Sequence, residues 1–371
     1  MNSPKTISEG IARNRKPRCL IVRPAKARAA HAGDEIVYTR SLEYLAQTMQ
    51  VDVCELYSIS RPKQLFEIAK GAPPEVTRYI GSENRERVNQ SIQSTRPEVV
   101  CFFNEVTFPF LSISKSAGIA SVLAAHNVHS VVAATDPAGW TRIFQPLAAR
   151  FERKWYDDIA AELVCISKLD VEGLKSAGLT RSRIFVAPPG CPAPCDLSDT
   201  AEPIPDIVLT GSYAWWRKRR DLESFARGVS LPTKIIAFDD IAKSILGPQA
   251  ISPTDVFLDW KSGIRFGLIT DRFLGGFKLK ALEYVARNCA VLSACDISLE
   301  FSDLPHAEIF VRKISAKAEA WQTMQEIIRL PNVVQRFREF KEACVTKFDW
   351  NSCLTPLHTA IETALSANSV K

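Results

Sequence analysis

The sequence predicts an α/β protein built from two mainly parallel sheets. Three observations carry this. Short apolar runs of buried-strand type alternate with segments of helical periodicity. That alternation occurs twice, on either side of a proline-rich stretch, Pro188 to Pro205, which holds six prolines and reads as a linker. The chain of 371 residues is also too long for one ordinary core.

The elements follow in order. Cys19 to Arg23 reads as a strand, Ile36 to Gln50 as a helix, and Val51 to Leu56 as a second strand. Glu98 to Phe103, Ala120 to Ala125, Leu163 to Ile166 and Ile184 to Ala187 are further strands. Ser167, with Asp170 three residues on, resembles a capping box that opens a helix. Beyond the linker, Ile207 to Leu209, Lys234 to Phe238, Ile264 to Ile269, Ala290 to Ser293 and Glu308 to Val311 read as strands. Ala316 to Arg329 and Asn332 to Lys347 read as late helices. Ligands in such sheets bind beyond the carboxyl ends of the strands, so the cleft between two of them is the expected site.

Composition narrows the class. Hydrophobic content of 46% with 24% charged residues fits a soluble globular chain. No apolar run reaches the length of a membrane span. Residues 1–17 are polar and basic and read as a disordered lead-in without a secretory signal. Most of the ten cysteines sit inside apolar runs, as buried free thiols do in a reducing compartment. Cys191 and Cys195 have no second pair at zinc-finger spacing, so no metal site is expected. The net charge is +6. It includes two basic clusters, Arg13 to Arg18 and Arg217 to Arg220. A solvated face explains the first. The second fits a phosphorylated ligand or an anionic membrane. No nucleic-acid module is present.

The richest segment is Gly275-Gly276-Phe277-Lys278-Leu279-Lys280-Ala281-Leu282-Glu283. It follows a strand and opens a helix running to about Asn288. Paired glycines allow a sharp turn and close approach of a ligand to the main chain. Lys278 and Lys280 sit at the end of the helix that is already partly positive. A bound diphosphate would explain them, and Glu283 would then accept from a sugar hydroxyl. An amphipathic helix with solvated lysines fits the same pattern. His126-Asn127-Val128-His129 follows the strand Ala120 to Ala125, where His126 is placed to touch a ligand or to hydrogen-bond within a packed loop, and His129 reads as structural or exposed. Thr210-Gly211-Ser212 precedes Tyr213, Trp215, Trp216 and the basic run. It offers a glycine turn, a hydroxyl and cations to phosphates. The two tryptophans suit stacking on a ligand or packing between domains. The loop Ala32-Gly33-Asp34-Glu35 precedes the first helix. Neither a dinucleotide fingerprint nor a Walker loop occurs, and no G-x-S-x-G nucleophile is present.

In this order the motifs resemble the GT-B fold glycosyltransferases, in particular the family-four type of group-one enzymes. The resemblance runs from about Arg18 to about Leu365. It rests on Gly33-Asp34-Glu35, His126-Asn127-Val128, Phe151-Glu152-Arg153-Lys154, Cys165-Ile166-Ser167 with Asp170, and Val186 to Gly190. It continues through Gly211-Ser212, Gly275 to Glu283, Val285-Ala286, Ala290 to Ser293 and Asp349-Trp350. It implies two Rossmann-like domains facing a cleft. The acceptor domain would span 18–190, the linker 191–205 and the nucleotide-sugar domain 206–348, with 349–371 a helix packing back on the first domain. It also implies a metal-independent, retaining transferase that takes a UDP- or GDP-linked sugar as co-substrate, with no resident cofactor. The acceptor would be a glycan or a lipid-linked molecule in polysaccharide or glycoconjugate assembly. The setting would be cytoplasmic, peripheral at an anionic membrane face.

Residue by residue, the resemblance makes His126 and Lys278 the catalytic pair. Gly33, Gly211, Ser212, Arg217, Gly275, Gly276, Lys278, Lys280 and Glu283 would bind the donor. Two positions depart from the pattern. Gly275 stands where the family carries the first of two glutamates, at the start of the segment that ends in Glu283. Ser212 stands near the usual arginine, with Arg217 or Lys218 as substitutes. These departures motivate an alternative of another class, a catalytically silent GT-B-like scaffold that binds nucleotide or glycan. An epimerase or phosphorylase of the same fold is a third reading.

Overall fold

The computed structural model describes residues 15–25, 33–181, 183–227, 231–254 and 258–369. Most of the expected lead-in (residues 1–14), including Arg13 of the first basic cluster, and Ala32 of the loop before the first helix lie outside them.

Two six-stranded sheets form, and every strand pairing in both is parallel. The first contains β1 (Arg18–Pro24), β2 (Gln50–Leu56), β3 (Val99–Phe103), β4 (Ala120–Ala125), β5 (Glu162–Cys165) and β6 (Phe185–Val186), in the order β2-β1-β3-β4-β5-β6. The second contains β7 (Glu202–Leu209), β8 (Ile235–Ala237), β9 (Ala250–Ile251), β10 (Gly263–Ile269), β11 (Cys289–Ser293) and β12 (Val311–Lys313), in the order β12-β11-β10-β7-β8-β9. Strand order reverses between β1 and β3 in one sheet and between β7 and β10 in the other. Those reversals are where α/β sheets open a crevice beyond their carboxyl ends. The central strands β3, β4, β10 and β11 are buried at every residue, because helices cover both faces.

Two crossings join the halves. Residues 187–201 lead outward from β6, and the chain returns after Phe348. The two run together where the Cys191 amide donates to the Phe348 carbonyl at 2.6 Å. The helix Trp350–Ser369 then packs Leu354, Leu357, Ala360, Ile361 and Ala364 into the core beneath the first sheet. Trp350 lies against Gly190, where a Cβ would collide with its ring.

Three elements differ from the sequence reading. Glu308 to Val311 is not a strand. Ala307–Phe310 is a helical turn, and β12 follows it. Phe310 is fully buried against Phe337 and Phe340, with ring centroids 5.1 and 5.6 Å away. A short apolar run does not distinguish the two forms. β7 begins at Glu202, inside the expected linker. Its first half pairs only with β10, across a register shift, and β8 joins from Ile207 onward. Pro203 and Pro205 are tolerated there because that edge makes no second ladder. The two-residue β9 has no signal in the sequence.

The halves touch through a buried ion network. Asp136, wholly buried, follows the helix His129–Thr135 of the first half. It accepts from Arg217 Nε at 2.8 Å and Arg220 Nη1 at 2.6 Å, on the helix Trp216–Ala226 of the second. Arg220 also reaches Asp221 at 2.8 Å, and Asp221 accepts from the Arg272 amide at 2.8 Å. Glu300, from the second half, accepts from Ser167 Oγ at 2.8 Å and the Leu169 amide at 2.9 Å, and so caps a helix of the first.

Removing one partner of such a bridge leaves buried charge uncompensated, so Asp136→Ala is expected to cost about 3–5 kcal/mol in urea denaturation. A loss below about 1 kcal/mol, the range of exposed pairs, would contradict this reading of the bridge.

Candidate functional site

The loop after β4 is held from beneath by one carboxylate. Glu105 follows β3 and is almost fully buried. It accepts from the amides of His126 at 3.1 Å and Asn127 at 3.2 Å, and from Asn127 Nδ2 at 3.3 Å. His129 Nε2 lies 3.0 Å from Glu105 Oε1. Burial opposes ionisation of Glu105, but the His129 charge and hydrogen bond outweigh it and bring the carboxyl down to about 2. Glu105 escaped the sequence reading. Its one signal is a carboxylate at the end of an apolar strand, between Phe103 and Val106.

This anchoring presents His126 to the second half. Its ring is 3% exposed, edge-on to Phe103 at 6.1 Å, with Nδ1 3.8 Å from Asp34 Oδ1. Burial works against its charge, yet the carboxylates of Asp34, Glu105 and Asp170 raise its pKa. Gly33 begins the helix Gly33–Thr48, and a Cβ there would lie 2.8 Å from Leu279 Cδ1 of the other half. Gly276 has φ of +59°, and a Cβ on it would collide with the His126 carbonyl. Gly275 has no room for one either, against Val132. Both glycines are therefore required for the loop to pass between the domains.

On the second half, Gly211 follows β7 with φ of +86°, and the Lys280 side chain fills the space a Cβ would need. Lys280 Nζ reaches Tyr213 Oη at 3.5 Å. Lys278 precedes the helix Leu279–Ala286 and lies 3.7 Å from Asp271, which follows β10. Burial raises the Asp271 pKa, but Lys278, Lys280 and Lys218 together bring it below the ordinary value. Burial lowers the pKa of Lys218 and Lys280, and the neighbouring ammonium groups add to it. Three cations around one buried carboxylate leave positive charge that an anion would satisfy. Glu283, one turn further on, accepts from Thr210 Oγ1 at 3.5 Å and pairs with Arg287 at 3.0 Å.

The structure thus brings Gly33 and His126 of the first half against the loop and helix start of the second that carry Gly275, Gly276, Lys278 and Lys280, while Gly211 and Glu283 lie beside Lys280 and Thr210 on the second half. Two expected donor residues have other partners. Arg217 donates to Asp136 at 2.8 Å, and the cation that this basic run turns toward Asp271 is Lys218. Ser212 is exposed, and its hydroxyl accepts from the Ala214 amide at 3.3 Å. Trp215 and Trp216 are each 42% exposed. Trp215 stands edge-on to Phe273 at 5.2 Å, and Arg217 lies over both tryptophan rings.

Asp170 was expected as part of a cap and of the Cys165-Ile166-Ser167 motif, with no role assigned to its carboxylate. Its amide does donate to Ser167 Oγ at 3.1 Å, but its carboxylate crosses to the other half and accepts from the Gly276 amide at 3.2 Å. Burial raises this carboxyl to about 7, helped by the like charges of Glu300 and Glu105. The ten cysteines are free thiols. Among the described residues, no group of three or more His, Cys, Asp or Glu side chains could hold a metal ion, and no helix is long and apolar enough to cross a membrane.

No family model and no curated protein matches this sequence. Solved structures do. Sucrose-phosphate synthase from Thermosynechococcus elongatus superposes with a TM-score of 0.66 at 12% identity, over 95% of this chain and 100% of the other. Anabaena Alr3699/HepE in complex with UDP gives 0.58 at 10% identity, over 93% and 100%. An E. coli structure described as trehalose-6-phosphate bound with UDP-2-fluoro glucose gives 0.56 at 11% identity, over 93% and 99%. The fold is GT-B.

The Asp170 environment has a pH signature. Its folded pKa, about 7, lies above the unfolded value of about 3.9. Its contribution to stability is complete below about pH 4 and is lost as pH rises through 7. Asp170→Asn keeps an acceptor for Gly276 and should remove this slope, which amounts to a few kcal/mol in order of magnitude. Parallel stability–pH curves for the two proteins would count against it.

Proposed function

We propose that this protein is a glycosyltransferase that moves a sugar from a nucleotide-sugar to a glycan or lipid-linked acceptor. The observation that carries this reading is the convergence of Lys218, Lys278 and Lys280 on Asp271, at the strand-order reversal of the second sheet. A diphosphate there gains three cations and the amino end of the helix Leu279–Ala286. Glu283, beside Thr210 at the end of β7, is the acceptor for ribose hydroxyls. Complexes of similar structures with UDP and with UDP-2-fluoro glucose support a nucleotide-linked donor; the base, uracil or guanine, is read from the diphosphate test below.

The chemistry needs little from a protein base. The bond from the anomeric carbon to the diphosphate breaks through an oxocarbenium-like transition state. The lysines stabilise the charge that grows on the departing diphosphate. His126, fixed by Glu105 from beneath, faces the sugar. The apposed domains exclude water, which limits hydrolysis. The transfer is retaining by analogy with the family, and the polysaccharide or glycoconjugate setting is inferred the same way.

A peripheral place at an anionic cytoplasmic membrane face is part of the proposal. Ile143 (72% exposed) and Ile159 (93% exposed) flank the helix Gln145–Tyr156, on which Arg150, Arg153 and Lys154 are exposed. Apolar tips beside cations suit a membrane surface.

Two tests follow. One of UDP, GDP, ADP or dTDP, at a hundredfold over its dissociation constant, should stabilise the protein by about 2.7 kcal/mol in thermal melts. Lys278→Ala, Lys218→Ala and Glu283→Ala should lose that shift, whereas Ser212→Ala should keep it. No shift with any diphosphate would defeat the donor site. A shift without turnover of any nucleotide-sugar would point to the silent scaffold. Separately, the protein should sediment with anionic vesicles at low salt and be released at high salt; absence of binding at low salt would remove the membrane from the proposal.

A further inference from the structure

Several buried polar side-chain atoms among the described residues have no hydrogen-bond partner, and three of them gather at one place. They are His126 Nδ1, Asp170 Oδ2 and Asp271 Oδ1, all around the turn Gly275–Lys278. A buried polar atom without a partner costs free energy, and a group of them at a cleft calls for a ligand that completes them.

Asp170 is the best defined of the three. It is 2% exposed. Ser167 fixes its amide, Glu300 of the second half fixes Ser167, and the Gly276 amide fixes Oδ1 at 3.2 Å. With one oxygen held on the glycine loop, the direction of the other is set. On the opposite side of Gly276 stands His126, whose carbonyl blocks any side chain at that glycine. Asp170 and His126 therefore flank the same peptide. Asp34, with a side chain 66% exposed, lies beyond His126 toward solvent.

The charges decide what kind of ligand fits. Asp170 has the carboxylates of Glu300 and Glu105 near it, with Lys278 as the opposing cation. A phosphate or carboxylate at Oδ2 would meet like charge. A neutral hydroxyl donates to the carboxylate without that repulsion. One such oxygen suits one hydroxyl of a sugar ring.

We propose that Asp170, contributed by the acceptor half, is a specificity-determining residue that binds a hydroxyl of the donor sugar through Oδ2. This rests on the donor-site reading above. It divides the ligand between the domains: diphosphate on the lysines of the second half, a sugar hydroxyl on a side chain of the first. The sugar is then read only when the halves are together.

The test separates sugar from nucleotide. Binding of UDP, GDP, UDP-glucose, UDP-galactose and GDP-mannose is measured by calorimetry on wild type, Asp170→Asn and Asp170→Ala. The asparagine keeps an acceptor for Gly276, so a residue that merely joins the domains would tolerate it. The expected result is diphosphate affinity within about twofold of wild type and nucleotide-sugar affinity at least about tenfold weaker in Asp170→Asn. Wild-type protein with 2-, 3-, 4- and 6-deoxy forms of the preferred donor gives a readout free of any folding defect. One position should account for the loss, and Asp170→Asn should be insensitive to that deletion. Equal weakening of diphosphate and nucleotide-sugar, unchanged binding of both, or no sensitive hydroxyl would overturn the assignment. Failure of wild type to bind any diphosphate would instead overturn the donor site itself.

Discussion

Asp136 holds this molecule in the arrangement that makes a site. It has no exposed surface, and its two oxygens take arginines from a helix of the other half. Burying Asp136 and Arg217 is costly, and the cost is offset only while all hydrogen bonds are made. The loops at the ends of β4 and β10 face each other because this bridge, the Glu300 cap and the Gly276–Asp170 bond are made together.

The glycine loop is tied to the interdomain crossing as well as to the cleft. Phe277, next to Gly276, packs on Phe348 at 5.5 Å, and Phe301 lies 5.6 Å from Phe348. Phe348 also accepts from the Cys191 amide, which joins the outgoing and returning chains. One aromatic cluster thus sits beneath both the loop and the crossing. Close-packed interiors shift between discrete packings and resist gradual deformation.

Two buried carboxylates of the first half show how environment divides similar groups. Glu105 and Asp170 are both desolvated. Glu105 has two backbone amides and His129 around it and is held near 2. Asp170 has one amide and two carboxylate neighbours and is pushed to about 7. The first is a fixed anion that shapes the His126 loop. The second is an interdomain group with an oxygen to spare, which is a property of a binding residue more than of a structural one.

The sequence by itself determined the two alternating halves, most strands, the Ser167 cap and the clustering of glycines and lysines near a helix start. These are local: strand runs, capping and the need for a left-handed turn depend on neighbours in the chain. It placed His126 and Gly211 just beyond strands, which is where parallel sheets bind ligands, and Gly276, Lys278, Lys280 and Glu283 at the start of a helix that follows one. Only the tertiary structure decided which partner each side chain meets. Arg217 and Lys218 are adjacent, but a helix turns about 100° per residue, so one faces Asp136 and the other the lysine cluster. Glu105 lacks a motif of its own, and the motif that holds Asp170 does not say what its carboxylate meets, since those partners come from other strands and from the other half. Phe310 is helical and Pro203 lies in a strand because aromatic packing in one case, and a free sheet edge in the other, outweigh local preference. Long-range contact sets those terms, and no reading of neighbouring residues contains it.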